Sequence, residues 1–160
     1  MKNLLLASVL IAATAYAQAD EAAMCSAAAG AYRTGTIVKG PKFAHGQFRK
    51  GVELSHTHLR MKADQDGKEY DIAIDNVFAS GFKPNQKTVP DSLKNIRVND
   101  HVEACGQLYT GGDVGIHWVH TNCGKTPQPS KPDGWLKVLA SDGKPGDNIE
   151  SNTQYCSLFN

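Results

Sequence analysis

Four of the six histidines fall in two short runs, His56-Thr57-His58 and His117-Trp118-Val119-His120. Imidazole can ligate a metal, shuttle a proton or meet an anion near neutral pH. His45 and His101 sit in loop-like stretches and carry no such argument. If both runs are strands, alternation puts His56 and His58 on one face of the first and sends His117 and His120 to opposite faces of the second. Regular strands therefore do not bring all four to one site. Leu59, Met61 and Ala63 mark the inner face of the first strand, so His58, Arg60 and Lys62 point outward, as do Asp71 and Asp75 from the return strand. Val52 and Leu54 have the opposite phase, which predicts a bulge near Ser55 to Thr57. His117 also faces outward, giving His58, Asp75 and His117 one candidate outer surface, with His120 turned inward beside Trp118.

Three chemistries compete for that surface. As a binding face, His58, Arg60, Asp75 and His117, with His120 and Trp135 as further candidates, would contact an anionic or saccharide ligand or a protein partner. The hairpin register that buries both apolar faces sets Arg60 and Lys62 near Asp71 and Glu69, cancelling much of the positive potential. A solvated, salt-bridged sheet face is the plain alternative. As a metal centre, His56 and His58 joined by His117 would form an open three-histidine zinc site that acidifies water, against a separation of about 10 Å between the two histidine strands at ordinary spacing. As a metal-free pair, two histidines flanking a phosphodiester, one base and one acid, with Arg60 stabilising charge, would make a small nuclease. Trp118 and Trp135 read first as core aromatics. No nucleophile elbow, phosphate loop or dinucleotide fingerprint is present. The leading expectation is a binding module without catalysis; the alternatives are a His-dependent, metal-assisted phosphodiesterase and an envelope stress or inhibitor protein acting by protein contact.

The elements that must position these residues begin behind a leader. Met1-Lys2-Asn3 is a short positive region, residues 4–13 are apolar apart from Ser8, and Ala15-Tyr16-Ala17 or Ala17-Gln18-Ala19 offers a small-x-small cleavage site, the order of a signal peptide over residues 1–19. The apolar run is shorter than the about 20 residues needed to span a bilayer, so the expected protein is periplasmic or secreted, without a membrane span. The chain has 17 basic and 16 acidic residues. Lys2 lies in the leader, so the mature chain is formally neutral, which does not favour nucleic acid as a partner. Cys25, Cys105, Cys123 and Cys156 are an even set in an exported chain, read as two disulfides. Of the three possible pairings, Cys105 with Cys123 across a hairpin and Cys25 with Cys156 tying the ends is preferred. None of the cysteines sits at the close spacing zinc sites use.

Residues 20–34 read as an Ala-rich N-terminal helix with acidic residues at its start. From 35 to 123 the pattern predicts strands at Gly35–Lys39, Val52–Ala63 and Tyr70–Val77, a short helix from Val89 to Lys94, then strands through Val102–Leu108 and Val114–Thr121. Turn signals at Asp64-Gln65-Asp66-Gly67 and Thr110-Gly111-Gly112-Asp113 reverse the chain. Three strands, a helix and two strands is the plan of a mainly β, five-stranded OB-type barrel. Residues 124–160 are a Pro/Gly-rich extension with one apolar island, 135–139, that packs on the barrel.

Gly112-Asp113-Val114-Gly115-Ile116-His117-Trp118-Val119-His120, followed by Asp133-Gly134-Trp135-Leu136, resembles a family of small exported bacterial proteins of unknown function that carry an HW-x-H strand end and a later DGW. His58-Leu59-Arg60-Met61 and Asn99-Asp100-His101-Val102-Glu103 resemble two further stretches of that family, so the likeness runs from Gly35 to Leu139. The chain departs from the pattern at Ile74-Asp75-Asn76, where the family has a histidine, and in its cysteines. The resemblance implies an exported barrel and no reaction.

Overall fold

The computed structural model describes residues 18–159. The predicted leader falls largely on residues 1–17, outside the described residues. The chain is helical over residues 18–27 (α1). It then runs through β1 (Ala31–Ala44), β2 (Phe48–Arg49), β3 (Val52–Glu53), β4 (His56–Ala63), β5 (Glu69–Asp75), a 3-10 turn (Asn76–Phe78), α2 (Asp91–Lys94), β6 (His101–Tyr109), β7 (Gly115–His117) and β8 (Trp135–Val138), and a final 3-10 turn spans Cys156–Phe159. Among the described residues no helix is long and apolar enough to cross a membrane.

Six strands form one mixed sheet in the order β1-β4-β5-β7-β6-β8, and β1 also pairs with β6. The sheet thus curls until β1, bent by irregularities between Ile37 and Lys42, pairs on both edges. Alternation explains the interior. Along β4, Thr57, Leu59, Met61 and Ala63 are buried while His56, His58 and Arg60 are partly exposed and Lys62 is exposed. Leu59, Met61 and Ala63 meet Tyr70, Ile72 and Ile74 of β5, Val102 and Ala104 of β6, Ile116 and Leu136 in one cluster. The predicted outward face of β4 is therefore correct, and so is its register, with Arg60 opposite Asp71 and Lys62 opposite Glu69.

Several expectations need correction. The helix expected over residues 20–34 ends at residue 27, and residues 31–34 open β1, where they pair with β6. The sheet has six strands rather than five, because the apolar island at 135–139 supplies β8, which pairs with β6 from Cys105↔Trp135 to Val138↔Val102. The strand expected from Val52 to Ala63 is broken at Leu54-Ser55, so that β2 and β3 form a separate small hairpin. This is where the phase of the apolar residues changes. The strand expected to run to Thr121 ends at His117, where Trp118 takes φ +57° and the chain leaves the sheet.

The disulfides join Cys25 to Cys105 and Cys123 to Cys156, not the pairing preferred from sequence. The hairpin argument assumed that β7 continues to Cys123 beside β6. The early end of β7, with Cys123 itself at φ +62°, carries that cysteine to the C-terminal segment. There Cys123 and Cys156 pack against Val77, Phe78 and Phe82. Cys105 is left to face α1, and Gly30 lies so close to both sulfurs of the Cys25–Cys105 bond that a Cβ there would overlap them.

Candidate metal centre

Asp75 ends β5 and His56 begins β4, directly opposite each other. A buried amide fixes that junction. Thr57 Oγ1 donates to Asn76 Oδ1 at 2.6 Å, and Asn76 Nδ2 donates to Ser55 Oγ at 3.0 Å. The Asn76 backbone N–H donates to the Ser55 carbonyl at 3.0 Å. All three residues are essentially inaccessible. Small polar residues between apolar strand positions were the only sequence signal for this network, and spacing alone did not mark it.

Strand β7 lies on the other side of β5, running parallel to it with Asp71 opposite Gly115 and Ile72 opposite Ile116. Continuing that register places His117 beside Ala73, whose methyl group leaves room above it. The His56 and His117 rings consequently approach to 5.7 Å between centroids. Ala73 lies opposite His58 and Asp75 opposite His56, so the strand separation that weighed against shared ligation is spanned diagonally, His56 and His117 meeting at Asp75.

The left-handed turn at Trp118 then does what a regular strand does not. It brings His120, three residues after an outward-facing histidine, back to the same carboxylate. His56 Nε2 lies 2.7 Å from Asp75 Oδ1, while His117 Nε2 and His120 Nε2 lie 3.3 and 3.0 Å from Asp75 Oδ2. The DGW segment clamps this turn: the Gly134 backbone N–H donates to the His120 carbonyl at 2.8 Å, and Asp133 Oδ1 accepts from the Asn122 backbone N–H at 2.9 Å. The two halves of the HW-x-H and DGW pattern are therefore in direct contact. A side chain at Gly134 would collide with the carbonyls of Trp118 and Cys105.

His120 is 1 % exposed, stacked on Phe78 at 3.8 Å between ring centroids and 6° between planes, with Trp118 tilted against its other side at 4.8 Å. Its Nδ1 lies 2.8 Å from the Thr121 carbonyl, and a carbonyl only accepts, so Nδ1 carries the proton. In the neutral ring, Nε2 then presents a lone pair to a carboxylate oxygen. Two acceptors in contact require a cation between them or a second proton on the ring. Neither His117 Nε2 nor His120 Nε2 has a hydrogen-bond partner in acceptable alignment.

Asp75 itself is 6 % exposed. Burial alone would push its carboxyl up, but His117, His120 and His56 outweigh it and hold the group well below the usual carboxylate range. His56, Asp75 and His117 offer three donor atoms that all lie within 4.8 Å of one another.

His58 does not join them. Its Nδ1 is 2.8 Å from Asp71 Oδ2, which also accepts from Tyr109 Oη at 2.7 Å. Burial pushes the Asp71 carboxyl up, and the His58 and Tyr109 contacts more than reverse this. Burial and the adjacent Asp71 raise the Tyr109 phenol. The triad His56, His58 and His117 expected from sequence thus becomes His56, Asp75 and His117, with His58 as a neighbour. A cavity of about 390 Å³ opens over the group, lined by His56, His58, Ala73, Gln107, Tyr109 and His117.

The other candidates are placed elsewhere. Arg60 pairs with Asp113. Trp135 Nε1 donates to Glu103 at 3.1 Å, and its ring lies under Lys137. Glu103, wholly buried, also accepts from Tyr32 Oη at 2.8 Å, and Lys137 Nζ lies 2.6 Å from Glu21 of α1. Trp135 therefore belongs to the network that seats α1 on the sheet.

Sequence reading did not single out Glu150. It is fully buried, both of its carboxylate oxygens lack partners, and burial followed by the charge of Asp75 pushes its carboxyl well above the ordinary value. A carboxyl raised on folding stabilises most below its unfolded value of about 4.3, and that contribution is lost as pH rises toward the folded value, at about 1.4 kcal/mol per pH unit. Glu150→Gln is thus expected to match wild type near pH 4 and to exceed it increasingly above pH 5 in urea unfolding. An equal difference at pH 4 and pH 8 would refute the assignment.

The sequence matches no protein-family model and no curated protein.

Proposed function

We propose that the protein is an exported zinc-binding module, working in the periplasm or outside the cell, whose centre is His56, Asp75 and His117, with the buried His120 in contact with Asp75. The two disulfides accord with an oxidising compartment. The strand order β1-β4-β5-β7-β6 with β6 returning to β1 supports an OB-type barrel as its frame. The outer face of β4, β5 and β7 is then the functional face.

The observation that carries the reading is the convergence of His56, Asp75 and His117, whose donor atoms all lie within 4.8 Å of one another. A ring whose other nitrogen is committed to a carbonyl meets a carboxylate at 3.0 Å without hydrogen-bond alignment. Two donors each about 2.0–2.1 Å from one zinc ion are separated by roughly 3.3 Å at the tetrahedral angle. The 3.3 Å contact of His117 with Asp75 is of that size, while the 2.7 and 3.0 Å contacts of His56 and His120 are shorter, near the length of charge-assisted hydrogen bonds. Nitrogen and carboxylate donors suit zinc better than calcium or magnesium.

Zinc titration by calorimetry, with metal content measured on the purified chain, tests this. One zinc per chain is expected, with affinity falling at least ~100-fold in His117→Ala, since loss of a ligand exceeds the 10–100-fold that second-sphere changes cost. A wild-type chain that takes up no zinc after supplementation ends the proposal.

One observation favours a second reading, hydrolysis of a phosphodiester by zinc-bound water. His58, oriented by Asp71, lines the cavity over the centre, where an oriented imidazole beside a bound water is a proton acceptor. Zinc-dependent cleavage of bis-p-nitrophenyl phosphate, lost in His58→Ala with zinc still bound, would establish it. No turnover by the zinc-loaded wild type would leave a binding module alone.

A further inference from the structure

A larger cavity, of about 560 Å³, lies on the other side of His120, lined by Arg49, Phe78, Trp118, Asn122, Lys125, Lys131 and Phe159 among others. This is within the size range of small-molecule sites. Its walls are of two kinds. Trp118 and Phe159 supply aromatic surface, with Phe159 backed by the buried Phe78 at 5.1 Å between ring centroids. Arg49, Lys125 and Lys131 supply positive charge, and none of the lining residues is acidic.

The cations are partly anchored by the protein. Arg49 donates to the Leu158 carbonyl at 3.1 Å and stands over the Phe159 ring, and Lys125 donates to the Phe159 carbonyl at 2.9 Å. A guanidinium has five N–H donors and an ammonium three, so these bonds leave donors free. Anchoring holds the side chains in place without neutralising them.

Two polar groups of the wall are unpartnered. Asn122 is 6 % exposed and its Nδ2 is bonded to the Lys125 carbonyl, but Oδ1 has no partner. Trp118 Nε1 is likewise buried and unbonded, on a residue whose backbone is held in the left-handed region. Of the two, Trp118 Nε1 is a donor of the kind a carboxylate accepts from, whereas Asn122 Oδ1 is an acceptor that a carboxylate does not satisfy; unsatisfied buried polar atoms and backbone strain cost free energy and gather at functional sites.

We infer that this cavity is a binding site for a small aromatic carboxylate, its ring lying against Trp118 and Phe159 and its anionic group directed to Arg49 and Lys131. Aromatic surface selects the ring and the uncompensated cations select the charge. The site is distinct from the zinc centre. His120 is the wall between them, and neither Arg49 nor Lys131 touches the metal-ligand set.

The chain contains two tryptophans, so its ¹⁵N–¹H spectrum has two indole signals. That of Trp135 is bonded to Glu103 and serves as an internal control. Titrating the full-length mature chain with 2-naphthoate is expected to shift the Trp118 indole signal saturably and leave that of Trp135 in place. 2-Naphthol and acetate, each lacking one half of the recognition, are expected to bind at least ~tenfold more weakly. Lys131→Gln and Arg49→Gln, both exposed positions, are each expected to weaken 2-naphthoate by ~tenfold. Equal binding of 2-naphthol, no effect of either substitution, or a shift at Trp135 instead of Trp118 overturns the site. Because none of these arms requires zinc, a chain that binds naphthoate and no zinc refutes the metal centre and leaves this site standing.

Discussion

Asp75→Asn is expected to abolish measurable zinc binding and to lower the stability of the metal-free chain by about 3–5 kcal/mol, the cost of removing one partner from a buried ionic cluster. The substitution preserves shape, so what changes is charge. Asp75 is the one group that touches His56, His117 and His120 together. His120 has no alternative, being 1 % exposed with Nδ1 already bonded. An amide in place of the carboxylate supplies no charge to offset either a metal ion or an imidazolium. For a domain of this size the unfolding midpoint should fall by roughly 10–20 °C, measured with chelator present to remove any metal contribution. A companion, His56→Gln, removes a half-exposed partner and should lower zinc affinity with little change in the metal-free midpoint. If Asp75→Asn unfolds with wild type in chelator, the carboxylate is not the anchor of the cluster. If it retains zinc, it is not a ligand.

The outer face of this site was legible because it rests on period-two alternation. Leu59, Met61 and Ala63 fix the inside of β4, and the same phase fixes His58, Arg60, Asp71 and Asp75 outside. The pairing of Arg60 with Asp71 and of Lys62 with Glu69 follows from burying both strands' apolar residues against one core. What alternation does not convey is where a strand stops. His117 and His120 were assigned to opposite faces because nothing in Trp118-Val119 announces a left-handed turn; a tryptophan with positive φ is rare. The turn is imposed from a distance by Gly134, whose missing side chain lets the DGW segment lie against the Trp118 and His120 backbone. The signal was present as the co-occurrence of HW-x-H and DGW, read as a family likeness and not as a contact.

His58 illustrates a different limit. Its outward direction was correct, but the choice between joining His56 and pairing with Asp71 depends on Tyr109, which reaches Asp71 only because position 115 is a glycine over which the phenol ring lies. Such three-body arrangements are set by packing. Asn76 and Glu150 escaped for the related reason that single polar residues near apolar runs look alike in sequence, whether they bridge buried hydroxyls or stand unpaired.

Replacing both Cys25 and Cys105 by alanine is expected to destabilise the chain by about 4–5 kcal/mol, on the chain-entropy relation for a closed loop of this length; the two residues are 80 apart. That loop contains β1, β4, β5, α2 and the start of β6, three of the six strands of the curled sheet, so the bond restricts the unfolded state of much of the frame and not α1 alone. The Cys123–Cys156 bond closes a shorter loop, with a separation of 33, and its loss should cost about 1 kcal/mol less on the same relation. That second bond holds the C-terminal segment beside Phe78, the ring on which His120 stacks. Its removal should therefore weaken 2-naphthoate binding out of proportion to its effect on stability. Chemical unfolding of the two double variants, read alongside zinc and naphthoate titrations, separates these roles. A Cys25/Cys105 variant whose sheet unfolds with wild type, while only α1 becomes open to proteolysis, would mean that the bond merely pins the helix. The opposite ranking of the two bonds would mean that native packing at Phe78, Phe82 and Tyr155 contributes more than loop closure.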